Sequence, residues 1–322
     1  MQKPRIYITR KIPDHLVEPF REKIHFKMWP EEEVPVPTEV LYTEAREADG
    51  LLCLLTDKID RNFLEKNSHL KIIANMAVGF DNIDVQFAQS KNIIVTNTPD
   101  VLTETTADLT FALLMATARR LVEAMDYIRD NQWGDWAPFM MAGTDIHHKT
   151  IGIVGMGRIG EAVAKRAKGF NMKVLYHNRT RKIEVEKNLG VVYTEFDELL
   201  QEADFVVSLL PLTQETANKF NKQAFQKMKQ TGIFINVSRG GVVDEEALYS
   251  ALSTGIIRAA GLDVFKDEPI HSTHPLMTLN NVVLLPHIGS ASIATRENML
   301  TLCLENISYV FQGKDPLTPI KM

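Results

Sequence analysis

The chain is poor in cysteine, with two in 322 residues. Cys53 and Cys303 both lie among leucines, far apart along the chain. A single such pair supports neither a disulfide framework nor a paired-cysteine metal motif. We therefore expect both to be buried, reduced thiols in a reducing compartment.

Long apolar runs and long basic runs are also missing. Nothing near the N-terminus has the pattern of a signal peptide or a membrane span, so the sequence predicts a cytoplasmic protein without membrane contact. The formal net charge is −5 and the densest basic cluster, residues 179–182, is short. This balance disfavours nucleic acid as a partner. The histidines at 147–148 and at 271 and 274 lack a carboxylate cluster, so no metal site is predicted.

Short apolar runs alternate with amphipathic segments along the whole chain, which predicts parallel sheets covered by helices on both faces. A chain of 322 residues is too long for one ordinary core. The predicted fold class is α/β, with two doubly wound parallel-sheet domains of Rossmann or flavodoxin-like type and a cleft between them. The predicted strands are residues 6–8, 50–55, 72–78, 93–95, 151–154, 173–176, 205–209, 232–236, 259–262 and 282–285.

The boundary between the domains is predicted from a change of pattern at Pro99. A helical pattern from about Thr106 to Asp130 holds no glycine or proline. It predicts one helix of about 35 Å at 1.5 Å per residue, suited to linking domains or to forming a subunit interface. The last amphipathic segment, 291–311, is expected to return to the first domain. The predicted domains are therefore 1–98 plus 287–322, and 99–286.

A glycine motif opens the second series of strands. Residues 155–160, GMGRIG, match G-x-G-x-x-G between an apolar strand and a helix predicted over 161–168, which is the context of a dinucleotide site. Gly155 permits a tight turn, Gly157 lets the backbone approach a pyrophosphate, and Gly160 lets the helix pack on the strand. The free N–H groups and positive dipole of the helix attract phosphate. The motif makes 99–286 the predicted dinucleotide-binding domain.

The next strand ends without the acid that holds the ribose 2′-hydroxyl of NAD. Asn178, Arg179 and Thr180 stand there instead. A carboxylate would repel a 2′-phosphate, whereas a guanidinium pairs with one. The predicted cofactor is NADP, with NAD as the weaker alternative. Glu184 and Glu186 leave open that a downstream acid folds back to this position.

Three further segments place a polar residue after an apolar strand, where ligands of open α/β sheets bind. Arg239 precedes two glycines, and a guanidinium can grip a carboxylate with two parallel hydrogen bonds. Glu268 precedes a proline and is held extended. A histidine such as His287, beside an acid and an arginine, can be kept protonated and protonate a carbonyl oxygen while hydride reaches the carbon. Taken singly, each also has a purely structural interpretation.

Together these motifs resemble the D-isomer-specific 2-hydroxyacid dehydrogenases over essentially the full length. The resemblance extends to residues 75–84 and to the helix start at 105–108. Within that family, Trp133, Trp136 and the segment 178–181 resemble the glyoxylate/hydroxypyruvate reductases. The family resemblance makes 1–98 plus 287–322 the predicted substrate-binding, or catalytic, domain.

The resemblance also implies residue roles. Arg239 would bind the substrate carboxylate, and His287, paired with Glu268, would be the acid/base. Val78 and Gly79 would offer backbone N–H groups to the carboxylate. The predicted cofactor contacts are Thr106, Gly155, Gly157, Arg158, Ile159, Gly160, Asn178, Arg179, Thr180, Leu210, Pro211, Thr216, Val237, Ser238, Arg239, Asp263, His287, Gly289 and Ser290.

The expected activity is NADP(H)-dependent reduction of a small 2-oxo acid, glyoxylate or hydroxypyruvate, to the D-2-hydroxy acid, glycolate or D-glycerate. The sequence does not rank these substrates against 2-ketogluconate. A non-enzymatic, dinucleotide-sensing scaffold of the same superfamily is the alternative of another class. We expect a homodimer formed through residues 99–150, with Trp136 reaching the substrate cleft of the second copy. The alternative is that Trp133 and Trp136 both anchor the loop within their own subunit.

Overall fold

The computed structural model describes residues 3–321, and the chain divides into two compact units. One unit holds the residues up to Leu102 together with those from Ala291 onward, and the other holds Thr103–Ser290. The boundaries fall at 102 and 290 instead of the predicted 98 and 286. His287 consequently belongs to the second unit.

The first unit is built on a five-stranded parallel sheet with the strand order β2-β1-β3-β4-β5. Its elements are β1 Arg5–Ile8, α1 Asp14–Val17, β2 His25–Met28, α2 Thr38–Glu47, β3 Gly50–Cys53, α3 Arg61–Lys66, β4 Ile72–Asn75, α4 Val85–Ser90, β5 Ile94–Thr96 and α12 Ile293–Phe311. The four strands predicted here are confirmed. The prediction missed β2, an edge strand in which only Phe26 is buried, so it has no apolar run.

The core of the first unit lies on both faces of this sheet and includes the two cysteines. Cys53 and Cys303 are free and buried, as predicted. Burial raises the pKa of both thiols above its ordinary value. They are therefore neutral, small apolar groups of the core.

The second unit is built on a seven-stranded parallel sheet with the strand order β12-β11-β10-β9-β6-β7-β8. Its elements are α5 Thr103–Ala118, α6 Leu121–Arg129, β6 Thr150–Val154, α7 Arg158–Gly169, β7 Lys173–His177, α8 Ile183–Leu189, β8 Val192–Tyr193, α9 Phe196–Glu202, β9 Phe205–Ser208, α10 Lys222–Lys227, β10 Ile233–Asn236, α11 Glu245–Ser253, β11 Ala259–Leu262 and β12 Val282–Leu284. From β6 the chain adds β7 and β8 on one side of the sheet, and it then returns to add β9, β10, β11 and β12 on the other side. Ligands bind at such a reversal of strand order.

The predicted single helix over 106–130 is wrong. The chain forms α5 and α6, and between them Arg120 takes the left-handed conformation, with φ of 54°. The carbonyl of Ala118, at the end of α5, accepts a hydrogen bond from the backbone N of Thr144 at 2.8 Å. A residue distant in sequence thus provides the hydrogen bond that the last turn of α5 lacks. No glycine or proline in the sequence indicates that the helix ends here. Among residues 3–321, no helix combines the length and the apolar character needed to cross a membrane.

Candidate active site

The glycine loop after β6 has the geometry of a phosphate cradle. Gly155 has φ of +108°, and a Cβ there would lie 2.7 Å from the Leu209 carbonyl oxygen. A Cβ on Gly160 would lie 2.4 Å from the carbonyl oxygen of Gly155. Close packing therefore requires both glycines. At Gly157 nothing lies within 4 Å of the added Cβ, so its face is open to a ligand.

The first turn of α7 completes this cradle. Gly157 is its N-cap and supplies no capping side chain, which leaves the first N–H groups and the positive end of the helix dipole for an anion. On the neighbouring strand end, Asn178 Oδ1 accepts a hydrogen bond from the backbone N of Met156 at 3.0 Å. The loop, with an open face that a Cβ would fill, fits the pyrophosphate of a dinucleotide.

Two arginines after β7 have different surroundings. Arg181 donates two hydrogen bonds of 2.7 Å to Glu186, and the hydroxyl of Tyr176 donates a third, also of 2.7 Å. These hydrogen bonds lower the pKa of Glu186 to about 2, and the bonds from Arg181 contribute more than the bond from Tyr176. A downstream acid does fold back here, but onto Arg181. Arg179 is 87% exposed and lies 3.2 Å from Glu215.

His287 and Glu268 form a pair on the loops after β12 and β11. The Nδ1 atom of His287 lies 2.8 Å from Oε2 of Glu268, and Oε1 of Glu268 accepts a hydrogen bond from the backbone N of Phe265 at 2.9 Å. Burial opposes ionisation of Glu268, but the hydrogen bond and the charge of His287 outweigh burial and hold the Glu268 pKa below its usual value. With Nδ1–H donating to the carboxylate, Nε2 is the nitrogen available to a substrate.

Asp263 fixes the turn that carries His287. His287 has φ of 54°, a left-handed conformation that costs a non-glycine residue roughly 1–3 kcal/mol. The backbone N of His287 donates to the Asp263 carbonyl at 2.9 Å, and both carboxylate oxygens of Asp263 accept from Ile288 and Gly289, each at 2.8 Å. Burial raises the Asp263 pKa more than these bonds lower it. The sequence predicts Asp263 only as a cofactor contact, because a strand-end aspartate gives no sign of which backbone groups it binds.

Arg239 lies beside this pair. A Cβ on the next residue, Gly240, would lie 1.8 Å from the carbonyl carbon of Phe265, so the loop after β10 is packed against the loop that carries Glu268. Arg239 is half-buried, its Nη1 donates to the Ser238 carbonyl at 2.9 Å, and its charge is among the causes that lower the Glu268 pKa. The fold thus brings together the arginine, acid and histidine from three adjacent strand ends.

Several other predicted cofactor contacts are also neighbours. A Cβ on Gly289 would lie 3.2 Å from Asp263 Oδ2, 3.5 Å from Val237 and 3.6 Å from Thr106. The hydroxyl of Ser238 donates to Asn236 at 2.7 Å. The remaining predicted contacts lie on nearby loops of the same sheet edge: Arg158 and Ile159 open α7, Leu210, Pro211 and Thr216 follow β9, and Ser290 follows Gly289.

In the first unit, Val78 and Gly79 lie in the loop after β4. The carbonyl of Ala77 accepts from Thr98 N at 2.9 Å, and the carbonyl of Val78 accepts from Asn97 Nδ2 at 2.8 Å. In a planar trans peptide the N–H points opposite to the carbonyl. The N–H groups of Val78 and Gly79 therefore point away from residues 97–98, and two successive amides directed alike can bind an anion.

Comparison with known proteins identifies the class. Residues 111–289 match the model described as D-isomer specific 2-hydroxyacid dehydrogenase, NAD binding domain. The chain belongs to this family and is an oxidoreductase with an NAD-binding Rossmann unit. Among curated relatives, it is 48% identical over 320 residues to a glyoxylate reductase of Thermococcus onnurineus, covering 98% of this chain and 95% of the relative. It is 49% identical to a glyoxylate reductase of Korarchaeum cryptofilum, with the same coverage.

Solved structures give the same fold. The TT0316 protein of Thermus thermophilus superposes with a TM-score of 0.92 at 42% identity, covering 98% of this chain and all of that one. A Sinorhizobium meliloti protein superposes with a TM-score of 0.85 at 33% identity, covering 99% of this chain and 97% of that one. The latter is described as an NADPH-dependent glyoxylate/hydroxypyruvate reductase in complex with NADP and malonate.

Proposed function

We propose that this dehydrogenase reduces a small 2-oxo acid, glyoxylate or hydroxypyruvate, with NADPH to glycolate or D-glycerate. The observation that carries the proposal is the His287–Glu268 pair, 2.8 Å between Nδ1 and Oε2, with Arg239 beside it. Relatives named glyoxylate reductase and a structural neighbour described as NADPH-dependent support the substrate and the cofactor.

In this proposal each residue acts on one part of the oxo acid. When bound, the nicotinamide supplies hydride to the carbonyl carbon. His287 donates the proton from Nε2 to the carbonyl oxygen, and Glu268 orients the ring and stabilises its charge. Arg239 binds the carboxylate through two parallel hydrogen bonds.

The test is an assay of NADPH oxidation by the purified protein with glyoxylate, hydroxypyruvate and 2-ketogluconate, followed by determination of the chirality of the product. We expect turnover with one or both of the first two acids and a D product from hydroxypyruvate. Turnover of 2-ketogluconate alone would make 2-ketogluconate reduction the activity, and turnover of none of the three acids would contradict the proposed substrates.

The preference for NADPH is expected to depend on Arg179. A charged hydrogen bond contributes about 1.5–3 kcal/mol, and because Arg179 is highly exposed, solvent and salt should place it at the low end. The Arg179→Ala variant should therefore raise the KM for NADPH about tenfold and leave the KM for NADH nearly unchanged. Lys187→Ala, which breaks the exposed pair of Lys187 with Glu184 at 3.0 Å, is the control and should change neither KM. Equal kcat/KM of the wild type for the two cofactors would show that the preference is absent.

The Glu268→Gln variant tests the acid–histidine pair through its pH profile. Because the pKa of Glu268 is lowered, its carboxylate stays charged at pH values below those at which a glutamate is usually protonated. A carboxylate beside an imidazole stabilises the protonated ring. As the pH falls through the lowered Glu268 pKa, kcat/KM of the wild type should decrease, whereas glutamine does not titrate and the variant should lack this decrease. Glu297→Gln, which breaks the exposed pair of Glu297 with His15 at 3.4 Å, should leave the profile unchanged. Superimposable profiles of Glu268→Gln and the wild type would contradict the pairing.

We also propose a homodimer formed through residues 99–150. Leu121, Met125 and Ile128 form an exposed apolar face of α6, and Trp136 and Phe139 after it are 74% and 88% exposed. Exposed apolar surface of this extent is typical of an interface. Light scattering should give twice the chain mass at micromolar concentration, and a monomeric mass would refute the dimer. Crosslinking from position 136 to the other copy would support the reach of Trp136 across the interface, and crosslinking to its own subunit alone would refute it.

A further inference from the structure

The ion pair of Arg179 and Glu215 joins the two loops on either side of the glycine loop. Strands β7 and β9 are the two neighbours of β6. Arg179 follows the end of β7, and Glu215 lies in the loop that follows β9. The carboxylate of Glu215 lies 3.2 Å from the guanidinium of Arg179, at the sheet edge where the glycine loop forms the phosphate cradle.

The loop that carries Glu215 is ordered by its own hydrogen bonds. The hydroxyl of Thr216 donates to the Pro211 carbonyl at 2.6 Å and accepts from the backbone N of Thr213 at 2.8 Å. These bonds close a turn around Glu215. On the other side, the carboxylate of Glu186 holds Arg181. The counter-ion of Arg181 therefore comes from its own side of the glycine loop, whereas the counter-ion of Arg179 comes from the opposite loop.

We propose that Glu215 is a specificity-determining residue that competes with the 2′-phosphate of NADP for Arg179. A 2′-phosphate that pairs with Arg179 must displace the carboxylate, and it then lies close to a like charge. A ribose with a free 2′-hydroxyl meets neither obstacle. Glu215 therefore reduces the discrimination that Arg179 provides. This inference rests on the proposed use of NADPH.

The size of the effect follows from the exposure of the pair. Glu215 is 73% exposed and Arg179 is 87% exposed, and exposed ion pairs are worth at most about 1 kcal/mol, which is about fivefold in affinity. Removing the carboxylate should tighten binding of a 2′-phosphate about two- to fivefold. Salt screens exposed charges, so the difference should shrink as ionic strength rises.

The experiment is calorimetric titration of the Glu215→Gln protein with adenosine 2′,5′-bisphosphate and with adenosine 5′-monophosphate, which report binding without catalysis. We expect the bisphosphate to bind more tightly than it binds the wild type, with the monophosphate unchanged. Glu184→Gln, which breaks the exposed pair of Glu184 with Lys187 at 3.0 Å, should change neither ligand. Unchanged bisphosphate affinity in Glu215→Gln, or an equal change for both ligands, would overturn the role of Glu215.

The Arg179→Ala variant separates this inference from the proposed function. If Arg179→Ala weakens the bisphosphate and Glu215→Gln does not strengthen it, the role of Glu215 fails and the NADPH preference stands. If Arg179→Ala leaves the bisphosphate unchanged, the cofactor proposal fails and the inference with it. In the Arg179→Ala background, Glu215→Gln should strengthen bisphosphate binding less than it does in the wild type, because Glu215 no longer competes for Arg179 there. Additive effects of the two substitutions would contradict that route.

Discussion

Replacing His287 with alanine should lower kcat for 2-oxo acid reduction by about 10²- to 10⁴-fold, the usual loss when a general acid is removed. The imidazole that Glu268 holds at 2.8 Å would be missing, and the carbonyl oxygen would have to take its proton from water. The measurement is steady-state turnover at saturating substrate and cofactor, together with the dissociation constant of the cofactor. That constant should barely change.

The backbone of the turn should survive this substitution. Asp263 binds the backbone N–H groups of residues 287–289, so its hydrogen bonds do not depend on the side chain of His287. Alanine adopts the left-handed conformation less readily than histidine does, so the turn of the variant depends on these hydrogen bonds. The control is His15→Ala, which removes an exposed histidine paired with Glu297 at 3.4 Å and should leave kcat unchanged. Near wild-type kcat in His287→Ala would end the assignment of His287 as the acid.

The parallel sheets could be predicted from the sequence because buried strands are continuous apolar runs. All ten predicted strands are present, within a few residues at their ends. The strands missed are β2 and β8, which lie at sheet edges and have few buried residues. The glycine motif was equally informative, since its spacing reflects a backbone requirement that the close contacts of Gly155 and Gly160 display.

The parts that could not be predicted depend on contacts between distant segments. The break at Arg120 depends on a hydrogen bond from Thr144, and the clamp on the His287 turn depends on a carboxylate 24 positions earlier, at Asp263. The partner of Arg179 is Glu215, 36 positions later. Local pattern carries no signal for such pairings, because each residue type is ordinary where it stands.

The Arg239→Lys substitution should separate the positive charge from the geometry of the carboxylate clamp. Lysine keeps the charge but loses the planar fork that makes two parallel hydrogen bonds. Loss of one charged hydrogen bond costs about 1.5–3 kcal/mol, so kcat/KM for glyoxylate should fall roughly 10- to 150-fold. Most of the loss should appear as a higher KM, with a smaller loss of kcat because the carbonyl is displaced from the acid.

The pH profile and a second arginine make this expectation specific. Arg239 contributes to lowering the Glu268 pKa through its charge, which lysine retains, so the shape of the kcat/KM profile should persist while its height falls. Arg258→Lys, at an exposed arginine of the same unit, should change neither KM nor kcat. An unchanged KM for glyoxylate in Arg239→Lys would rule out the clamp. A change in the shape of the profile would mean that the substitution had disturbed the Glu268–His287 pair, because the charge beside Glu268 is the same in both proteins.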